Sequence, residues 1–241
     1  MRILYQFPIS HFCEKVRWAL DYKGLDYKVN NLLPGPHISK ARKIAQYSSV
    51  PILKDGEDVI QGSDKIITYL DEKYPERSLT PENADEKKQA LEWEKYLDTE
   101  IGVHVRRACY HILLDHPDIV IPFFTHKGPW YGALLMRVIF PKLQHKMRTL
   151  MNINESSAQE SLEHLHVAIG KVNKEYSERE FLVSDKFTRA DLASAALLAP
   201  LCQPQEYGLS WPEKLPREMN ELVEKLAPEM QWVLPRYAKF R

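Results

Sequence analysis

Residues 3–24 have the sequence ILYQFPISHFCEKVRWALDYKG, and this stretch predicts how the chain begins to fold. The opening run is short, almost continuously apolar and rich in β-forming residues, so it predicts a buried strand that Pro8 ends. Ser10 then stands where a helix needs its N-cap, and apolar residues recur at helical spacing from Phe12 until Gly24. A strand, a sharp loop and a helix N-terminus in succession favour the binding of a thiolate or another anion, because free N–H groups and the helix dipole point there.

Length and composition exclude several classes of protein. The 241 residues suit one or two domains with a sizeable core. Lys and Arg together number 33, as do Asp and Glu, and the formal net charge of zero argues against a general nucleic-acid binder. The three cysteines are too few and too scattered for a disulfide framework or a zinc ribbon, which favours a reducing, cytoplasmic location. A strand predicted directly after Met1 leaves no room for a signal peptide, and residues 119–141 contain too many prolines and charges for a membrane span.

The segments that follow predict the rest of a small α/β sheet. Residues 27–33 alternate loosely between apolar and polar side chains and predict a second strand, which completes a strand–helix–strand unit with parallel strands. Farther on, Asp55-Gly56 separates two short strand-like runs and is typical of a β-hairpin. Ser63 then stands at the predicted N-cap of a helix that Pro75 ends.

Three motifs in this part of the chain resemble one protein family. Ser10-x-x-Cys13 has the spacing of the glutaredoxin Cys-x-x-Cys box with serine first, and residues 10–20 are similar to the first helix of glutathione S-transferase-like proteins, especially bacterial ones. Val50-Pro51 lies where thioredoxin-fold proteins place a cis-proline opposite the active loop. In that family, the residue before this proline holds the cysteine part of glutathione through paired backbone hydrogen bonds.

The third motif is Ser63-Asp64, which resembles the site for the zwitterionic head of a γ-glutamyl group. A hydroxyl and free N–H groups at Ser63 suit a carboxylate, and the charge of Asp64 suits an ammonium. Transferases usually have Glu or Gln before this serine, whereas Gly62 stands here, as in the glutaredoxin version; an ordinary helix cap is the alternative interpretation. The residues that the resemblance implies for glutathione binding are Phe12, Val50, Pro51, Ser63 and Asp64.

The resemblance implies an α/β thioredoxin-like N-terminal domain with the element order βαβ-α-ββα, followed by an all-α helical-bundle C-terminal domain. The expected boundaries are residues 1–76 for the first domain, 77–85 for a polar linker and 86–241 for the second domain. The resemblance further implies glutathione as a co-substrate, no metal cofactor and a homodimer.

In the second domain, apolar residues from Leu97 to Ile112 predict one face of a long helix. His104, Arg107 and His111 share a different face of this helix, which in the family lines the pocket for the second substrate. Their positive charge favours an acidic substrate or a developing anion, and the alternatives are a solvated face or an interdomain salt bridge. Without a nearby carboxylate or thiolate, these three residues do not form a clear metal-binding pattern.

Two further patterns concern the fold of the second domain. Residues 116–130 predict a break between helices. Thr188 and Asp191 have the spacing of a capping box at the start of a buried, alanine-rich helix. These two residues are therefore expected to stabilise the fold and to take no part in catalysis.

The resemblance implies nucleophilic attack by a glutathione thiolate on a small electrophile, with Ser10 donating a hydrogen bond to the sulfur. One alternative is a thiol-disulfide reductase that uses Cys13 on a disulfide substrate, although the exposed nucleophile of Cys-x-x-Cys boxes is the first residue, here Ser10. Cys13 is also interpreted as a small buried side chain. The remaining alternative is a non-catalytic binding or assembly module, since Gly62 departs from the transferase pattern and fold alone does not fix function.

Overall fold

A computed structural model describes the whole chain, Met1–Arg241, which opens with a four-stranded mixed sheet and its helices. The elements of this part are β1 (Arg2–Gln6), α1 (His11–Tyr22), β2 (Lys28–Asn31), α2 (His37–Ile44), β3 (Ile52–Asp55), β4 (Asp58–Gln61) and α3 (Ser63–Lys73). In the strand order β2-β1-β3-β4, β2 runs parallel to β1, whereas β3 pairs antiparallel with both β1 and β4. The predicted order βαβ-α-ββα is confirmed.

Local sequence signals explain where two of these helices begin. Ser10 caps α1 as predicted, because its side chain accepts a hydrogen bond from the backbone N–H of Cys13. The predicted capping role of Ser63 is wrong: Gly62 precedes α3, and Ser63 is the first helical residue and is buried. Gly62 has a φ of 103°, a conformation that residues with a Cβ atom rarely adopt, so a glycine is needed at this turn.

Helices form the rest of the chain, as predicted, and none of them has the length and apolar content that crossing a membrane requires. They are α4 (Ala84–Leu97), α5 (Val103–Leu113), α6 (Pro117–Thr125), α7 (Gly132–Leu150), α8 (Glu155–Glu178), α9 (Arg189–Cys202), α10 (Arg217–Leu226) and α11 (Val233–Phe240). A single π-helical turn, Asp98–Gly102, joins α4 to α5.

The predicted break at residues 116–130 is wrong over most of its length, because it contains α6. Pro117 occupies the first turn of this helix, where its missing N–H group is not needed. The buried side chains of Val120 and Phe124 then hold the helix against the core. Burial in the folded protein therefore outweighs the local signal of the prolines.

Helix α9 lies at the centre of the helical part and is buried along nearly all of its length. The predicted capping box is confirmed: Asp191 accepts a hydrogen bond from the backbone N–H of Thr188 at 2.9 Å. Asp191 also accepts one from the N–H of Leu182 at 2.8 Å, which ties down the preceding loop. The loop places Phe187 against Trp18 of α1, with the ring centroids 5.8 Å apart.

Four charged residues connect the α/β part to the helices, and we call them the interdomain charge cluster: Lys15, Glu94, Asp98 and Arg189. Lys15 Nζ lies 2.9 Å from Glu94 Oε1 and 2.6 Å from Asp98 Oδ1, and Arg189 Nε lies 2.6 Å from Glu94 Oε2. Arg189 also donates a hydrogen bond of 2.8 Å to the backbone carbonyl of Asp64 at the start of α3. Because each charge has a partner, the cluster holds α1 and α3 against α4 and α9.

The last helix closes over the first. Trp18 donates its indole N–H to the carbonyl of Phe240 at 2.8 Å. The fully buried Glu14 accepts hydrogen bonds from Arg17 at 2.7 Å and from Arg241 at 2.9 Å. Helix α1 therefore takes partners from residues more than two hundred positions away in the sequence.

Candidate active site

A cavity of about 640 Å³ opens between the N-terminal end of α1 and helices α5 and α7, and most of its lining is hydrophobic. Two of the predicted motifs meet there, because Ser10 and Phe12 line the same space as Val50. Ser63 and Asp64 are not part of this lining. Asp64 lies instead in a second, polar cavity of about 440 Å³ beside the interdomain charge cluster. The structure therefore brings the first two motifs together at one cavity and places Ser63-Asp64 outside it.

Ser10 lies at the N-terminus of α1 and is half-buried at the cavity wall. Its oxygen accepts the hydrogen bond from the N–H of Cys13 at 3.3 Å. A serine hydroxyl has one hydrogen to donate, and at the cavity wall this hydrogen can turn toward a bound group. A hydroxyl donor and a helix N-terminus at one point stabilise a negative charge.

Cys13 does not reach the cavity. Its side chain is fully buried, and burial raises the pKa of the thiol, with smaller opposing effects from the Ser10 hydrogen bond and the charge of Arg17. A buried thiol with a raised pKa is a poor nucleophile at neutral pH. This corrects the prediction of a catalytic Cys13 and supports its interpretation as a small buried side chain.

Phe12 packs against the π-helical turn that precedes α5. A Cβ atom at Gly102 would lie 2.6 Å from the edge of the Phe12 ring, so the close contact requires glycine at that position. The neighbouring His11 donates from Nε2 to the carbonyl of Gly102 at 2.9 Å. Burial lowers the pKa of His11 to about 3, and the charge of Arg106 adds to the shift. His11 is therefore neutral and fixes the start of α1 to the start of α5.

The peptide bond between Val50 and Pro51 is cis, as the family resemblance implies. Val50 lines the cavity, and its backbone N–H and carbonyl make no hydrogen bond within the protein. A donor and an acceptor on one extended residue can pair with the backbone of a bound peptide. Val50 therefore has both backbone groups free for paired contacts, and its contact with the cysteine part of glutathione stays a prediction.

The residues predicted for the second-substrate pocket do not line the cavity, which corrects that prediction. Arg107 donates to Ser161 Oγ of α8 at 3.2 Å, and His104 Nδ1 lies 3.1 Å from the same oxygen. His111 Nε2 lies 3.1 Å from a carboxylate oxygen of Glu155, also on α8. The three residues do share a face, but α8 packs on it, so they serve the contact between two helices.

Arg106 is the candidate residue that the sequence analysis missed. It lies on the cavity wall together with Cys109, Tyr110 and Leu113 of α5. These four residues have the spacing i, i+3, i+4 and i+7, a second stripe on the same helix that could have been recognised in the sequence. Burial lowers the pKa of Arg106, and the guanidinium forms no hydrogen bond or ion pair with the protein.

One cluster of possible metal ligands lies outside the cavity. Glu100 supplies the carboxylate that was absent from the sequence pattern, and its ligand atoms lie within 4.8 Å of those of His104 and His164. The two imidazole rings are stacked, however, with centroids 4.3 Å apart and an angle of 7° between their planes. Ring nitrogens bind a metal through lone pairs in the ring plane, and parallel planes do not direct these lone pairs to one point. The stack therefore does not have the arrangement of a metal site.

Comparison with known proteins identifies two family matches along the chain. A model described as the glutathione S-transferase N-terminal domain matches residues 4–78, and one described as the glutathione S-transferase C-terminal domain matches residues 129–231. Together they match more than half of the chain.

Individual relatives are similar over different shares of the chain. A zeta-class glutathione S-transferase of Euphorbia esula is 44% identical over 94 residues, which are 38% of this chain and 41% of that protein. Glutathione S-transferase Z1 of Arabidopsis thaliana is 48% identical over 81 residues, which are 32% of this chain and 37% of that protein. The chain thus matches only about two fifths of the length of these curated relatives.

Solved structures resemble the whole chain. The β-etherase LigF of Sphingobium sp. strain SYK-6 has a TM-score of 0.66 and 20% identity, covering 99% of this chain and 95% of that one. A glutathione S-transferase of Methylobacillus flagellatus KT, crystallised with glutathione bound, has a TM-score of 0.61 and 16% identity, with coverage of 99% and 95%. At these identities the similarity shows the fold alone.

Proposed function

The chain belongs to the glutathione S-transferase family, and from this premise we propose that it is a glutathione transferase that activates the glutathione thiolate for attack on a small electrophile. The observation that carries the proposal is the position of Ser10. Its hydroxyl lies at the cavity wall on the N-terminus of α1, with one hydrogen to donate, while the thiol of Cys13 is fully buried and does not line the cavity.

Glutathione binding is supported by two groups on the α/β part. The free backbone N–H and carbonyl of Val50 suit the cysteine part of the tripeptide, beside Pro51. The exposed carboxylate of Asp64 suits the ammonium of the γ-glutamyl group, and the N-terminus of α3 at Ser63 suits its carboxylate.

The chemistry follows from the state of the thiol. A free thiol has a pKa of about 8.5 and is mostly protonated at neutral pH. A hydrogen bond from Ser10 and the dipole of α1 favour the thiolate, so the proton passes to solvent. The sulfur then forms a bond to the electrophilic carbon, and the leaving group departs with the electron pair of the bond that breaks.

We propose the division into residues 1–76, 77–85 and 86–241 for the domains and their linker, which agrees with the end of α3 at Lys73 and the start of α4 at Ala84. A homodimer and a cytoplasmic, detoxifying role are proposed on the basis of the family. Sedimentation of the purified chain tests the dimer.

The proposed chemistry is tested by a pair of variants assayed with glutathione and 1-chloro-2,4-dinitrobenzene. Ser10→Ala should lower kcat/KM about 10²-fold, which is the order of effect of removing one charge-stabilising donor. Cys13→Ser is the matched control and should stay within about twofold, because the thiol does not reach the cavity. Ser10→Cys should gain disulfide reductase activity and lose conjugation.

The opposite pattern, in which Cys13→Ser abolishes activity and Ser10→Ala is tolerated, would show that the chain is a thiol-disulfide reductase. Retention on immobilised glutathione is the accompanying binding measurement. A wild-type chain that is folded but is not retained and has no conjugating activity would be a non-catalytic module.

A further inference from the structure

The guanidinium of Arg106 is a half-buried charge at the cavity wall that the protein itself does not neutralise. The arginines with the least exposed side chains are paired: Arg17 with Glu14, Arg189 with Glu94 and Arg241 with Glu14. Arg106 has no such partner, and the charged group nearest to it in the sequence, Arg107, is also a cation and disfavours its charge. An unpaired charge that is partly withdrawn from solvent is costly, and a ligand with the opposite charge reduces this cost.

The surroundings of Arg106 have the same sign of charge. Although the chain has equal numbers of acidic and basic residues, the lining of the cavity contains Arg106, Lys142 and Lys146 and not one Asp or Glu. Lys142 and Lys146 lie one turn apart on α7, are exposed and form no ion pair. The remaining lining is mainly aliphatic and aromatic. The cavity is therefore an apolar space with a positive potential and one half-buried cation in its wall.

We propose that the second substrate has an apolar body and a carboxylate or similar anionic group, and that Arg106 binds this anion. The proposal rests on the proposed transferase function and specifies its substrate class. A guanidinium pairs with a carboxylate through two parallel hydrogen bonds, which fixes the orientation of the bound molecule as well as its charge. The two lysines on α7 attract the anion toward the cavity.

Arg106 has two alternative roles, binding a carboxylate of glutathione or stabilising the thiolate, and the experiment below distinguishes them from the proposed one. Glutathione has carboxylates of its own, but the groups that suit it lie on the α/β part, at Val50 and Asp64. Arg106 lies on α5, close enough to His11 at the start of α1 for its charge to act there, so stabilisation of the thiolate is the second alternative. If Arg106 binds an anion on the electrophile, replacing Arg106 should weaken binding and conjugation of charged electrophiles only. Both alternatives predict that the replacement affects all electrophiles equally.

The first arm measures binding without glutathione, so it does not depend on the transferase function. The probes are 8-anilinonaphthalene-1-sulfonate and N-phenyl-1-naphthylamine, which share a ring system and differ in the sulfonate. Arg106→Met should weaken binding of the sulfonate at least tenfold and change that of the neutral probe less than twofold, and Arg106→Lys should recover part of the loss. Arg137→Met removes an exposed cation of α7 outside the cavity and should bind both probes like the wild type.

The second arm measures conjugation of 4-fluoro-3-nitrobenzoate and of its methyl ester. In both, the glutathione sulfur bonds to the ring carbon and fluoride departs with the electron pair of the carbon–fluorine bond. Arg106→Met should lower kcat/KM about 10- to 100-fold for the acid and less than threefold for the ester, with the KM for glutathione unchanged.

Several results would overturn the proposal. Equal losses of affinity for the two probes, or of kcat/KM for the acid and the ester, would mean that Arg106 stabilises the thiolate or the packing of the cavity. A raised KM for glutathione, with an unchanged ratio of kcat/KM between acid and ester, would mean that Arg106 binds the tripeptide. If the wild type conjugates neither compound, the proposed function fails, and the probe pair still decides whether Arg106 forms an anion site.

Discussion

The interdomain charge cluster and the cavity both place cations beside α1, but only the cluster contains their counterions. In the cluster, Glu94 lies between Lys15 and Arg189, and all three are almost completely buried. In the cavity, Arg106 faces apolar side chains and no carboxylate. A charge that is paired within the protein serves the fold, whereas one left unpaired is available to a ligand. Counterions within the protein thus mark the residues that hold the two parts together, and their absence supports the proposed role of Arg106 toward a substrate.

The largest effect is expected from breaking the cluster. Arg189→Met should lower the free energy of unfolding by about 3–5 kcal/mol, because Glu94 loses one of its two cationic partners while it stays buried. Urea denaturation measures this change. The matched control is Arg217→Met, which removes an exposed arginine paired with Glu221 and should leave the midpoint unchanged. Equal midpoints for the two variants would contradict the structural role of the cluster.

A pH-dependent loss of stability is expected on the cavity side, at His11. Its folded-state pKa is lowered to about 3, mainly by burial, so between pH 6.5 and 3 the unfolded chain binds a proton there that the folded chain does not. Stability therefore falls as the pH is lowered through this range, by about 2 kcal/mol from His11 alone at pH 5.

His11→Gln tests this because it removes the titrating group and keeps an N–H donor for the carbonyl of Gly102. The difference in unfolding free energy between pH 7.5 and pH 5 should be smaller in the variant by about that amount. His166→Gln changes an exposed histidine and should keep the pH dependence of the wild type. If His11→Gln also keeps it, the folded protein accommodates a protonated His11.

The smallest of these effects concerns Asp64, which lies beside the cluster. Its backbone carbonyl accepts a hydrogen bond from Arg189, whereas its side chain is exposed. Asp64→Ala should weaken glutathione binding about tenfold, as measured by calorimetry, because a hydrogen-bonded charge for the ammonium is lost. The midpoint of unfolding should not change. Unaltered affinity would remove Asp64 from the proposed site.

The features that the sequence predicted correctly depend on neighbours in the chain. The cap at Ser10 and the capping box of Thr188 and Asp191 each involve groups within three residues of each other. The hairpin around Asp55-Gly56 likewise follows from the demands of a tight turn. Such interactions join residues that are close in the sequence, so they could be identified without the structure.

The residues that the sequence misplaced depend on which helix packs where. Periodicity correctly identified the apolar stripe of α5, but its other faces all contain polar residues. One of them, with His104 and Arg107, is covered by α8, while Arg106 faces the cavity. Ser10 and Cys13 belong to one motif, but Ser10 lines the cavity and Cys13 is buried in the core. These assignments need the packing of distant segments, which local patterns do not contain.

The distant partners of α1 limit how the chain can exchange segments with its relatives. Consider a hybrid protein in which the α/β part of this chain is joined, in the linker, to the helical part of a relative. Lys15 would then meet another residue in place of Glu94, and Glu14 another in place of Arg241. The buried charges of α1 would then lose their counterions while the sheet and the bundle were each intact. A stable hybrid must therefore take these positions on α1 and their partners in the helical part from the same protein, although separate family models match the two segments.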